Sequence, residues 1–139
     1  MNNEFEQISI KTGFMKHNGG LFFRKVTESE YQFKATVTEN HLNAARIAHG
    51  GFIAALIDAG AGTAAHRAAS NNPCVTISLE LKFISAIKLG QEIIGTTNIQ
   101  KKTKSMVFLT CELKTADKIA ATASGVWKIL KLSGAGPGG

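Results

Sequence analysis

The stretch Gly50-Gly51-Phe52-Ile53-Ala54-Ala55-Leu56-Ile57-Asp58-Ala59-Gly60-Ala61-Gly62-Thr63-Ala64-Ala65 decides how this chain folds. Apart from Asp58 and Thr63, every residue in it is apolar or small. The pattern continues through Ala69 and stops at Ser70-Asn71-Asn72-Pro73, a helix-ending cluster. The spacing predicts one helix from Gly50 or Gly51 to about Ala69. At 1.5 Å per residue, roughly 18–20 residues span about 30 Å. Such a helix is apolar nearly all round for its first four turns, so it must be buried on most faces. Gly60 and Gly62 would each cost about 1 kcal/mol relative to alanine in an exposed helix. The expectation is that they let another backbone approach closely.

The segments on either side read as strands. Leu21 to Thr27 and Tyr31 to Thr38 are rich in aromatic and β-branched residues, with Glu28-Ser29-Glu30 between them, and read as a hairpin. Residues before Gly20 are weakly patterned, with a short helix expected near Phe5 to Thr12. Glu39 to Ala48 is a connector. After the helix, Ile77, Leu79, Leu81 and Phe83 alternate with Ser78, Glu80 and Lys82, the period of a strand with one buried face. Gln91 to Gln100, Ser105 to Thr115 and Ile119 to Leu130 follow as three more strands. Short turns join them, so neighbours run antiparallel. An all-round apolar helix cannot lie outside a flat sheet. The expected class is α+β, a curved antiparallel sheet of five to six strands wrapped around one long helix. Residues 1–132 are expected to form one domain, and the Gly-rich 133–139 reads as a flexible tail of the kind an expression scar leaves.

Composition narrows the function. With 139 residues, 44% hydrophobic and 19% charged, the chain has the make-up of one ordinary globular domain. The longest apolar stretch is interrupted by Asp58 and too short to span a membrane. The acidic, polar start Met1-Asn2-Asn3-Glu4 resembles no signal or transit peptide, so the expected location is the cytoplasm. A net charge of +6 suits an anionic ligand. Lysines are dispersed and aromatics few, which argues against nucleic acid. Cys74 and Cys111 form no short-spaced metal pair, and His17, His41 and His66 have no partners at metal spacing.

Asp58 is the residue the fold does not explain. An unpaired buried carboxylate is costly, and an apolar surrounding disfavours its charged form and makes it a stronger base. A structural acid paired with Arg67 or with a backbone amide is the plain alternative. Nine residues earlier stands His49, opening His49-Gly50-Gly51, and six before that Asn43. A helix N-terminus offers unsatisfied N–H groups and a partial positive charge. Gly50 and Gly51 have no side chain to block an approaching carbonyl. An amide, an imidazole, two backbone donors and a carboxylate form the equipment of an acyl-transfer site. Taken singly, Asn43 could hold a turn, His49 could cap the helix, and Thr76 could be an ordinary strand threonine.

The spaced set Asn43, His49-Gly50-Gly51 and Asp58, with the strand Val75–Phe83 and the turn Ile87-Lys88-Leu89-Gly90, resembles the hotdog-fold acyl-CoA thioesterases. The likeness is to the PaaI-type branch of the 4-hydroxybenzoyl-CoA thioesterase superfamily and covers about residues 15–130. It implies that Asn43 bonds the thioester carbonyl or helps place the water, and that His49 orients substrate and loop. It implies that the Gly50 N–H holds the carbonyl oxygen, and that Asp58 acts as general base or nucleophile with Thr76 holding the water. It further implies a homodimer that forms the site at its interface, arranged as a homotetramer. No metal or cofactor is expected, coenzyme A being part of the substrate. Gly51, Phe52, Leu56 and Phe83, with Ile53, are candidate pocket-lining residues. Lys88, Lys101 and Lys104 are candidates for the coenzyme A phosphates, with Lys82, Lys102 and Arg67 as others. One departure is Ala45-Arg46, since relatives often carry glycine three residues before the histidine. Two alternatives compete: a hotdog hydroxyacyl-thioester dehydratase and a non-catalytic acyl-CoA-binding module. One dehydratase branch has an aspartate five residues before its histidine, where this chain has Ala44. A binding module should lack a competent acid.

Overall fold

The computed structural model describes residues 4–131; the tail 133–139 lies outside them. Seven strands and two α-helices follow one another as β1 Glu6–Ile8, α1 Phe14–His17, β2 Leu21–Lys25, β3 Glu30–Thr36, α2 Gly50–Ala68, β4 Cys74–Phe83, β5 Glu92–Lys102, β6 Met106–Thr115 and β7 Lys118–Ile129. All strands pair antiparallel in one sheet of order β1-β2-β3-β5-β6-β7-β4. Helix α2 lies against it and touches strands β2 to β7. This is the expected helix wrapped in a curved sheet, with one more strand than the patterning indicated. Among the described residues no helix is long and apolar enough to cross a membrane.

The extra strand is a correction. The segment expected to be helical near Phe5 to Thr12 instead holds β1, which pairs Glu6 to Ile8 with Phe23 to Leu21. The short helix lies later, at Phe14–His17. Three residues are too few to show a period, and β1 is fixed by its neighbour β2. It is also tied to the far end of α2, because the Arg67 guanidinium donates to Glu6 at 3.0 Å.

The core is the seam between α2 and the sheet. Leu56, Ile57, Ala61, Ala64 and Ala65 face Phe23, Phe33, Ile93, Val107, Leu113 and Trp127, all buried. Gly60 and Gly62 of α2 make room for side chains, not for backbone. A Cβ on Gly60 would lie 2.3 Å from the Phe33 ring, and one on Gly95, opposite Phe33 in the register, 2.2 Å. Phe33 is therefore wedged between a helix glycine and a strand glycine. A Cβ on Gly62 would meet the indole nitrogen of Trp127 at 3.2 Å.

A second correction concerns β4. Its alternation predicts a buried face, yet Ile77 is 54% and Phe83 58% exposed, and Val75 is exposed as well. Among the described residues the strand pairs only with β7, and its other edge has no partner. Leu79 and Leu81 are half-buried against the core. The rest of the pattern has no cover among the described residues.

Candidate active site

The connector before α2 is built around Asn43. Its side-chain Oδ1 accepts the N–H groups of Ala45 (2.9 Å) and Ile47 (3.3 Å), while its own N–H donates to Ile47 O (2.8 Å). This is an Asx-type turn. It commits Oδ1 to the loop and leaves the Nδ2 amide as the group with donors to offer. Arg46 stands in the turn at φ +65°, the left-handed region. That is the position where relatives often carry glycine, and the backbone supplies the reason.

His49 is the N-cap of α2. Its Nδ1 accepts the Gly51 N–H at 2.8 Å, and Ile53 N–H donates to His49 O to start the helical ladder. With Nδ1 accepting, the ring proton sits on Nε2. The Gly50 N–H takes no acceptor among the described residues. Asn43 and Gly50 line one cleft of about 300 Å³ together with Ile53, Phe83 and the segment Ile84 to Ile87. The Phe83 ring lies over Gly50, 3.5 Å from where a Cβ would be. Lys88 flanks this cleft through the Ile47–Lys88 bridge.

The positioning of His49 depends on His41, whose part in the site the sequence reading missed. His41 is buried and its O accepts the His49 N–H at 2.7 Å. Its Nδ1 accepts the Thr38 N–H (3.0 Å), and its Nε2–H donates to Asn18 O (2.6 Å). The ring stacks on Phe52 at 3.6 Å between centroids. The Thr38-to-His41 spacing of a capping box is the signal that could have found it.

The acid lies elsewhere. Asp58 is exposed in the single chain and not buried among apolar side chains, which corrects the premise that drew attention to it. It is paired: the Thr76 hydroxyl donates to Asp58 Oδ1 at 2.7 Å. Arg67 is engaged with Glu6, so the alternative partner for Asp58 is taken. Asp58 and Thr76 line a second groove with Gly62, His66, Cys74 and Trp127. Burial pushes the Cys74 thiol upward, and pushes that of Cys111, deep in the core, up to about 12.

The structure thus brings Asn43, His49, Gly50 and Phe83 to one end of α2 and joins Asp58 to Thr76 further along it. It does not bring the two groups together. Eight residues of helix separate Gly50 from Asp58, about 12 Å. Gly51 and Phe52 line a small pocket with His41 and His49. Leu56 is fully buried in the core and forms no part of an open wall. Lys101 and Lys104 are exposed at the β5–β6 hairpin, which is tied to the end of β7 by the bond from Ile129 N–H to Ser105 O.

The family model described as "Thioesterase superfamily" matches residues 45–121, more than half of the chain. The chain belongs to the thioesterase superfamily. It is a thioester hydrolase. The matched region holds His49-Gly50-Gly51, Asp58 and Thr76. This thioesterase is 30% identical over 112 residues to "Putative esterase PA0474" of Pseudomonas aeruginosa, covering 80% of this chain and 84% of that one. It is 32% identical over 87 residues to acyl-coenzyme A thioesterase 13 of Mus musculus, covering 61% and 62%. Its fold superposes on zebra fish thioesterase superfamily member 2 with a TM-score of 0.79 at 22% identity, covering 87% and 89%.

Proposed function

We propose that this thioesterase hydrolyses acyl-CoA thioesters to a free acid and coenzyme A, within the PaaI-type branch, at a site shared by two copies of the chain. The split between the helix N-terminus and the Asp58–Thr76 pair carries this reading. Two groups about 12 Å apart on one helix cannot act on one carbonyl, but the helix start of one copy can meet the acid of another. The free edge and uncovered apolar residues of β4, the strand that bears Thr76, suit pairing with a second copy. The name of the mouse relative supports acyl-CoA as the substrate.

In this reading the thioester carbonyl lies against the Gly50 N–H at the positive end of α2, with the Asn43 amide and His49 Nε2–H beside it. Thr76 holds one oxygen of Asp58, so Oδ2 faces the water. Asp58 takes a proton from that water as its oxygen bonds to the carbonyl carbon. The C=O electrons move onto oxygen, and the Gly50 N–H receives the developing charge. Removing one such donor typically costs roughly 10²–10³ in rate. The oxyanion then collapses, the C–S bond breaks, and coenzyme A leaves as thiolate and is protonated. In the same reading Lys88, bridged to Ile47 of the Gly50 cleft, would meet a coenzyme A phosphate, with Lys101 and Lys104 as further cations.

Thiol release from a panel of acyl-CoAs tests the reading. Asp58→Ala should lower kcat by about 10²-fold or more, the usual range for losing a general base, with its urea midpoint little changed. An unchanged rate would remove Asp58 from the mechanism. Acyl-CoA bound but never hydrolysed by the intact protein would favour the binding module instead.

A further inference from the structure

The groove that holds Asp58 and Thr76 runs on beyond them. It passes Ala59, Gly62 and Thr63 to His66, and Trp127 of β7 lines it too. It is an open groove of about 490 Å³, within the size range of small-molecule sites. No lysine or arginine lines it among the described residues. A cavity without cations suits the acyl end of the substrate and sends the phosphates of coenzyme A elsewhere.

Two polar atoms in this groove, Trp127 Nε1 and His66 Nε2, make no hydrogen bond to the protein among the described residues. Trp127 packs into the core at 1% exposure, but its indole nitrogen is not sealed off: it meets no protein acceptor among the described residues and opens on the groove. Gly62 is what leaves that donor open, because a Cβ there would sit 3.2 Å from Nε1. Gly62 is one helical turn past Asp58, about 6 Å along the axis. One turn further, His66 gives its Nδ1 proton to Asn72 O at 2.8 Å, which leaves Nε2 as an acceptor. A donor open to a groove is hydrated while the groove is empty; a ligand that expels the water without offering an oxygen leaves it unpaired, and a ligand oxygen there does not.

We infer that this groove is the acyl pocket, and that it selects acyl groups bearing an oxygen substituent about 6 Å from the thioester carbonyl, with Trp127 Nε1–H as the donor that recognises it. The inference rests on the proposed site, since Asp58 marks where the carbonyl lies. An apolar acyl chain leaves the indole N–H buried and unpaired. A keto or hydroxyl oxygen pairs it, and a hydroxyl at that depth also has His66 Nε2 ahead of it. Sites built to hydrogen-bond a substrate discriminate against the analogue that lacks the group.

Thiol release measured with hexanoyl-CoA, 5-oxohexanoyl-CoA and 5-hydroxyhexanoyl-CoA tests this. In the intact protein, kcat/KM should be roughly tenfold higher for the two oxygen-bearing thioesters, the worth of about one hydrogen bond. Gly62→Ala and Trp127→Phe should each bring that ratio close to one. Should Trp127→Phe fail to fold, Gly62→Ala carries the comparison. Trp127 is the chain's single tryptophan, so 5-oxohexanoate should shift its emission more than hexanoate does. A ratio near or below one in the intact protein, or a ratio that survives Gly62→Ala, overturns the pocket assignment while Asp58-dependent hydrolysis stands. Failure to hydrolyse any thioester overturns both.

Discussion

Single residues show where backbone and chemistry conflict. Arg46 holds a left-handed φ of +65° because the Asn43 turn requires it there. A side chain in that region costs about 1 kcal/mol that glycine does not. Its ion pair with Glu39, at 2.7 Å, joins two exposed groups and contributes little. Arg46→Gly should therefore raise stability by about 0.5–1 kcal/mol, read as a higher urea midpoint at constant slope. A lower midpoint would mean the turn is held by the arginine side chain. The sequence revealed which residue types gather near α2, but not their surroundings. Asp58 looked buried because its sequence neighbours are apolar, whereas on a helix its neighbours in space lie three and four residues away and on β4. Asn43 looked like a substrate ligand, and half of its amide turned out to fold the loop. The contacts of His41 with Asn18 and of Trp127 with Gly62 were not legible because tertiary packing sets them, whereas the capping-box contact of His41 with Thr38 is local and could have been read.

At the scale of elements, α2 was legible almost to the residue, since its apolar run, its glycine start and its Ser70-Asn71-Asn72-Pro73 stop all agree. Strands β5 to β7 were likewise readable from composition and turns. The role of Gly60 was not. Helix propensity says Gly60→Ala gains about 1 kcal/mol. The Phe33 ring, 2.3 Å from the new Cβ and held from the other side by Gly95, cannot retreat. Overpacking should prevail, so Gly60→Ala is expected to destabilise by about 1–3 kcal/mol in urea unfolding. A stabilised variant would show that Phe33 has another place to go. Strand β1 escaped notice for the opposite reason: it is short, lies at the sheet edge, and depends on β2 and on the contact between Glu6 and Arg67.

For the whole molecule, the same feature explains an incomplete site and an uncovered surface. The period-2 pattern of β4 was read correctly as a strand, but the described residues of one chain leave Ile77 and Phe83 of its face uncovered. The donors at the start of α2 and the acid on its middle turns stand apart in one chain. A second copy paired along β4 would cover the first and join the second. Such a dimer has two equivalent sites, each with a loop from one copy and an acid from the other.

Co-expression of Asp58→Ala and Gly50→Pro variants, with mixed dimers isolated through two different tags, tests this most directly. Proline removes the Gly50 N–H yet suits the first helical position, and His49 before it already has the extended backbone that proline favours. Each variant alone should be nearly inactive. The mixed dimer contains one site with an intact helix start and an intact acid, so it should recover about half the activity of the intact protein. Mixed dimers no more active than either parent, or a chain that is active as a monomer, would contradict the shared site.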